Sequence, residues 1–224
     1  GKICSFDCIY CECGLNGDHH TKSRRPTREE VREGLTAVLH ERHEKGEPLD
    51  VITFAGNGEP TGHPDFPGII DDTIAVRDRY FPSAKVSVLS NATMLHKPDV
   101  FEALKKVDNN IQKLDTIDMA YIMKVDRPCS PSYDVKKVIE QLKNYNGKVI
   151  IQTIFMRGEG VDNTGEEYVA PWIEAIKEIA PEQVMIYTID RETPTKGLKK
   201  AEPEVLDKIC ERLIKLNIPC TASY

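Results

Sequence analysis

The sequence has no apolar run approaching the roughly 20 residues that a membrane-spanning helix needs. It shows no secretory pattern of charged start, apolar stretch and small-residue cleavage site, so no membrane partner and a cytoplasmic location are expected. Low-complexity stretches and linker-like composition shifts are missing too. Positive charge is not in excess: 30 Lys and Arg stand against 36 Asp and Glu, a net charge of −6. That balance disfavours an extended nucleic-acid surface without excluding a local basic patch. Cysteine is sparse and uneven. Of the seven, Cys129, Cys210 and Cys220 are scattered, whereas four fall within "CSFDCIYCEC" (4–13). A chain of 224 residues can bury a core without disulfide staples. An odd number of cysteines, clustered in a chain without an export signal, reads as metal-binding or catalytic. No second cluster is present, so auxiliary iron–sulfur centres are not expected; Cys129 and Cys220 are too isolated to build one.

Past residue 25 the sequence alternates apolar, β-rich runs with amphipathic helical stretches. The runs are "DVITFA" (50–55), "KVSVLS" (85–90), "NIQKL" (110–114), "KVIIQTIFM" (148–156) and "QVMIYTI" (183–189). Several are almost wholly apolar, as strands buried on both faces of a parallel sheet are. Between them, Val31, Leu35, Val38 and Leu39 mark one helix face, with Thr27 and Glu30 as a capping box and Gly46 as the stop. Val135, Val138, Ile139 and Leu142 repeat the pattern, as do Val169, Trp172, Ile173 and Ile176, and then Val205, Ile209, Leu213 and Leu216. Successive βα units predict one α/β domain over 1–224, with a cysteine loop over 1–26 and βα units over 27–224. In such folds ligands sit at the carboxyl ends of the strands. The segments after the runs are "GNGEP" (56–60), "NAT" (91–93), Asp115, "RGEG" (157–160) and "DRETP" (190–194), which have the composition of a site.

Cys4, Cys8 and Cys11 have the spacing C-x3-C-x2-C. Three thiolates this close converge only if the loop curls around something, and soft thiolates select iron–sulfur clusters, zinc or copper(I). Structural zinc needs a fourth ligand, which Cys13, His19 or His20 could supply. A four-iron cluster can be held by three cysteines with one iron left open. The missing C-x2-C…C-x2-C layout and the position at the ligand end of an α/β domain favour iron–sulfur over zinc.

"CSFDCIYC" resembles the C-x3-C-x-aromatic-C signature of the radical S-adenosylmethionine (SAM) enzymes, with Tyr10 in the aromatic position. "GNGEP" resembles that superfamily's Gly-Gly-Glu-Pro motif, and "SNAT" (90–93) its Thr-Asn-Gly segment. Asn57 stands where the first paired glycine is usual. The variant "SFDCIYCECG" further resembles small radical SAM proteins related to the wybutosine synthases.

The resemblance implies a partial (βα)6-type parallel barrel of five or six strands. The family's first strand precedes the cysteine loop, so it is expected to be missing or to lie outside this chain. The resemblance also implies two cofactors, a [4Fe–4S] cluster held by Cys4, Cys8 and Cys11, and SAM chelating the fourth iron. Cys13 is then an extra thiol. Tyr10 is expected near the adenine, or as a core tyrosine. Gly58 and Glu59 should meet the SAM amino group, Ser90 and Asn91 line the pocket, and Asp115 reach the ribose. Met156 to Gly158 and Tyr187 to Ile189 are expected to cradle the adenine, or to pack in the core.

The implied reaction is reductive cleavage of SAM to a 5′-deoxyadenosyl radical that takes hydrogen from a substrate. The alternative is a non-catalytic zinc- or iron–sulfur-binding domain. The implied partners are an electron donor such as a flavodoxin or ferredoxin, and a substrate whose identity the residues do not disclose. Lys22, Arg24, Arg25, Arg28 and Arg32 crowd the start of the first helix, where cations oppose the macrodipole. They read as a solvated face partnered by Glu29 and Glu30, or as a site for an anionic substrate or redox partner.

Overall fold

A computed structural model describes residues 2–17 and 24–224. His19, His20 and Lys22 lie outside them. The strands are β1 (Val51–Phe54), β2 (Lys85–Ser90), β3 (Asn109–Lys113), β4 (Ile150–Ile154), β5 (Met156–Gly158), β6 (Val161–Asp162), β7 (Gln183–Tyr187), β8 (Lys199–Lys200) and β9 (Cys220–Ser223). The helices are α1 (Arg28–Glu44), α2 (Phe66–Tyr80), α3 (Pro98–Leu104), α4 (Met119–Val125), α5 (Val135–Lys143), α6 (Glu166–Ile179) and α7 (Pro203–Lys215).

Six strands form one parallel sheet in the order β1-β2-β3-β4-β7-β9. This is the α/β architecture and strand number that the alternating runs and the resemblance predicted. Alternation sets the faces. Val86, Val88, Ile151, Val184 and Ile186 join the core that the helices cover, together with Trp172, Ile176 and Leu213. Every apolar position marked on α5 and on α6 is buried, which is why those helices pack where their periodicity said. On α1 only Leu39 is buried and Val38 is 55% exposed, so its apolar stripe is narrower than the pattern implied. Its capping box forms as expected. Trp172 donates its indole N–H to the Leu114 carbonyl at 2.9 Å, tying α6 to the end of β3.

Two differences bear on the site. The run 148–156 is not one strand: β4 ends at Ile154 and β5 begins at Met156 in a separate antiparallel sheet, β6-β5-β8. Asn163, fully buried, makes this break tenable. It accepts from the Met156 N–H at 2.9 Å and donates to the Ile154 and Asp115 carbonyls, satisfying backbone groups that the ladder abandons. The sixth parallel strand, β9, has no apolar run, because an edge strand half open to solvent needs none. Cys210 on α7 and Cys220 at the start of β9 form a disulfide that the scattered cysteines did not announce.

Candidate cofactor site at the cysteine loop

The cysteine loop lies against the carboxyl ends of the strands, and glycine is what lets it approach. Ile3 forms a parallel bridge to Gly58, with Glu59 N donating to the Ile3 carbonyl at 3.0 Å. Gly58 has φ +129, and a Cβ there would collide with the Ile3 carbonyl. Gly58→Ala is therefore expected to displace Ile3 and Cys4 and to abolish iron retention after reconstitution. Full iron content in that variant would refute this role.

Beyond Ile3 the loop curls around Asn16. Its amide donates to the Phe6 carbonyl at 3.0 Å and the Cys4 carbonyl at 3.4 Å, while its backbone N–H donates to Asp7. The far side of the loop docks on the segment after α4. Ile9 N donates to the Val125 carbonyl, Asp7 N to the Asp126 carbonyl and Cys129 N to the Ser5 carbonyl. Cys129, remote in sequence, thus comes to lie beside Cys4, with its thiol donating to the Cys4 carbonyl at 3.7 Å.

Asn91 links the loop to β2. Its side-chain N–H donates to Cys4 Sγ at 3.6 Å and to Ser5 Oγ at 2.9 Å, and Ser5 and Thr93 share a 2.6 Å hydrogen bond. Ala92 takes φ +63, in the left-handed region, where the resembled motif carries glycine. Glu59, expected at an amino group, spends its carboxylate inside the protein. Thr61 N and Oγ1 donate to one of its oxygens and Asn91 N to the other. Burial raises its pKa despite these bonds.

Asp115 is likewise turned inward. Its carboxylate accepts from the Tyr10 hydroxyl at 2.5 Å and the Ile154 N–H at 3.1 Å, and pairs with Lys113 at 2.6 Å. Lys113 also pairs with Asp126 at 2.5 Å and lies over the rings of Phe6 (5.2 Å) and Tyr10 (5.5 Å). Burial works against the Lys113 ammonium, but Asp115 and Asp126 hold its pKa well above the ordinary value. Burial also lifts Asp126 to about 6. This network pins both aromatic residues of the cysteine loop to β3 and to the end of α4. Sequence reasoning found Tyr10 and Asp115 but not Lys113, Asp126, Asn16 or Asn163. The one available signal was a lysine inside the "NIQKL" run that was read as a strand.

The thiols differ. Burial pushes Cys8 far up, with the Lys113 cation opposing; burial also raises Cys4, against the Phe6 N–H that donates to its sulfur at 3.5 Å. Buried thiols of this kind ionise readily only when a metal takes the charge. Lys2 loses by burial but is raised on balance by Cys11, Cys4 and Cys8, so one cation senses all three thiols. Cys13 also lies near Lys2 and Cys11, and it donates to the Gly56 carbonyl at 3.6 Å. Among the described residues no group of three His, Cys, Asp or Glu side chains could hold one metal ion. Cys4, Cys8 and Cys11 are soft thiol donors on one loop with the spacing C-x3-C-x2-C, and that donor chemistry fits an iron–sulfur cluster. Met156 is buried in the same apolar patch as Cys8 and Tyr10, and Tyr187 and Ile189 pack against it.

The basic residues resolve into pairs. Arg24 bonds Glu30, Arg28 bonds Asp72 and Arg32 bonds Glu29. Arg25 lines a cavity of about 470 Å³ with Gly56, Gly58 and His63. No helix among the described residues is long and apolar enough to cross a membrane.

Comparison with known proteins bears on this geometry. A UPF0026 protein of Helicobacter pylori is 29% identical over 213 residues, covering 92% of this chain and 64% of its own length. One from Methanocaldococcus jannaschii is 26% identical, covering 93% and 63%. The chain thus spans just under two thirds of these relatives. Among solved structures, Streptococcus suis SuiB bound to S-adenosylmethionine superposes with a TM-score of 0.71 at 14% identity, over 99% of this chain and 48% of that one. TYW1 with a lysine–pyruvate adduct gives 0.66 at 15%, over 95% and 70%. These two likenesses establish the fold. The sequence model described as "Radical SAM superfamily" matches residues 1–169, about three quarters of the chain. That superfamily uses a [4Fe–4S] cluster and SAM for radical chemistry. With its cysteine loop set at the carboxyl ends of a parallel sheet, this chain belongs to the radical SAM superfamily of enzymes.

Proposed function

We propose that the protein reductively cleaves SAM to methionine and a 5′-deoxyadenosyl radical, which abstracts hydrogen from a substrate, and that Cys4, Cys8 and Cys11 hold its cluster. One observation carries the ligand assignment: Cys4 and Cys11 pack against the same apolar patch that buries Cys8, whereas Cys13 donates to the Gly56 carbonyl. When bound, the cluster supplies the electron that breaks the C5′–S bond of SAM. The chain's own residues position and exclude. Gly58 admits Ile3 to the strand ends. Asn91 directs an N–H at Cys4 Sγ, and such bonds tune a cluster's potential. Glu59 and Asp115 act as positioning residues, since their buried carboxylates hold protein donors. Tyr187 and Ile189, half-buried with Met156 packed behind them, offer an apolar wall beside the loop on which an adenine can pack. Because the loop and the strands share that patch, we read 1–224 as one functional unit.

The test is anaerobic reconstitution with iron and sulfide, chemical reduction, and assay of SAM cleavage. A brown protein that forms 5′-deoxyadenosine, slowly even without substrate, is expected. A colourless protein that retains zinc and forms none after reduction would leave the non-catalytic metal domain as the better reading.

A further inference from the structure

Reductive cleavage needs one electron from outside the chain, and the sequence offered the arginines at the start of α1 as a docking patch for its donor. The structure pairs Arg24, Arg28 and Arg32 with carboxylates. Unpaired cations collect elsewhere. A groove of about 610 Å³ runs between the turn after β2 and the first half of α5. Its apolar lining includes Met94, Leu95, Tyr133 and Val138, and its basic lining includes Lys136, Lys137 and His96. Lys97 and Arg127 adjoin lining residues in sequence. Among the described residues, Lys97, Arg127, Lys136 and Lys137 make no ion pair.

Two carboxylates share the groove lining, and one of them is paired with a cation. Asp134 accepts from the Lys136 backbone N–H as the cap of α5, and Glu140 pairs with Lys143 at 3.0 Å. Lys136 and Lys137 stand in the first turn of α5, where a cation opposes the helix dipole. The arginines of α1 in the same situation are each answered by a carboxylate; these lysines are not. The groove also adjoins the cysteine loop. Ser5, the residue after Cys4, lines it and is bonded to Thr93 and Asn91. On the same side Cys129 is bonded to the Ser5 and Cys4 carbonyls.

We propose that this groove is the docking surface for an acidic one-electron donor protein of the flavodoxin kind, with Lys136, Lys137, Lys97 and Arg127 steering it to the Cys4 side of the loop. The inference rests on the reductive reading above. The donor loses one electron and the cluster gains it, and no bond forms between the proteins. An apolar floor with a cationic rim suits such a partner: the rim speeds encounter and the floor supplies contact.

The experiment uses the reconstituted full chain and a fully reduced acidic flavodoxin, following cluster bleaching by stopped flow at about 50 mM and about 500 mM salt. The wild-type rate should fall steeply with salt. Lys136→Glu/Lys137→Glu should be slower by about tenfold at low salt and nearly insensitive to salt. The same variant should keep its iron, bleach normally with dithionite and then cleave SAM as wild type does. Arg24→Gln/Arg28→Gln should behave as wild type throughout. If the charge-reversed protein loses iron, Lys136→Gln/Lys137→Gln provides the same comparison. Equal flavodoxin rates for wild type and the lysine variant overturn the proposal, as does a slowing confined to the arginine variant. If dithionite-reduced wild type cannot cleave SAM, the reductive reading itself fails, and that outcome is distinct from a docking failure.

Discussion

Replacing Cys4, Cys8 or Cys11 by Ala, one at a time, is expected to reduce bound iron from about four per chain to background. A site with three protein ligands has no spare thiolate. Cys13→Ala and Cys129→Ser should each retain the cluster. Cys13 donates to the Gly56 carbonyl and Cys129 to the Cys4 carbonyl, so each thiol already has a backbone partner. Iron analysis and the visible spectrum of anaerobically reconstituted variants decide the matter. Iron lost from Cys13→Ala but kept in Cys8→Ala would overturn the ligand assignment.

Lys113→Met is expected to be the most damaging substitution outside the cysteines. The ammonium is buried between Asp115 and Asp126, so its removal leaves two buried carboxylates without their cation. Breaking a buried pair from one side costs about 3–5 kcal/mol, a fall in melting temperature on the order of 10 °C for a chain of this size. Phe6 and Tyr10 also lose the cation beneath their rings, so the cysteine loop should become sensitive to proteolysis.

The effect should depend on pH. Burial already lifts Asp126 from 3.8 to about 6 with Lys113 in place. An acid whose folded pKa exceeds its unfolded value makes the folded state bind more protons between those values. Stability therefore falls as pH rises through that window. Without Lys113 the window extends upward. The variant's deficit relative to wild type should thus be smaller at about pH 5.5 than at about pH 8. Thermal unfolding of the metal-free protein at both pH values measures this. Melting like wild type at both would show that the network contributes nothing to the fold. Lys113→Met/Asp126→Asn, which removes one of the stranded charges, should recover part of the loss.

The parallel strands were legible where short runs are rich in β-branched and other apolar residues, as in "KVSVLS" and "QVMIYTI". The edge strand β9 was not, because half of its residues face solvent and carry no signal. The break between β4 and β5 was hidden inside one apolar run, since hydrophobicity cannot distinguish a strand that continues from one that changes sheets. It depends on Asn163, a polar residue in a loop whose neighbours become visible only after folding.

The candidate site divides in the same way. Spacing by itself proposed Cys4, Cys8 and Cys11 as a set, because three thiols within eight residues of one loop can reach a common group. Local backbone need determined Gly58, and Thr27 with Glu30 determined how α1 begins. These are short-range constraints, and short-range constraints are written in adjacent residues. Tertiary structure alone decided that Glu59 and Asp115 face protein donors, that Lys113 lies beneath the cysteine loop, and that Cys129 sits beside Cys4. It also decided which cations are free, since Arg28 meets Asp72 across 44 positions while Lys136 and Lys137 meet no carboxylate. A side chain's charge is fixed by its type, but its electrostatic effect depends on what the rest of the chain brings to within a few ångströms, and that distance exists only in the folded protein.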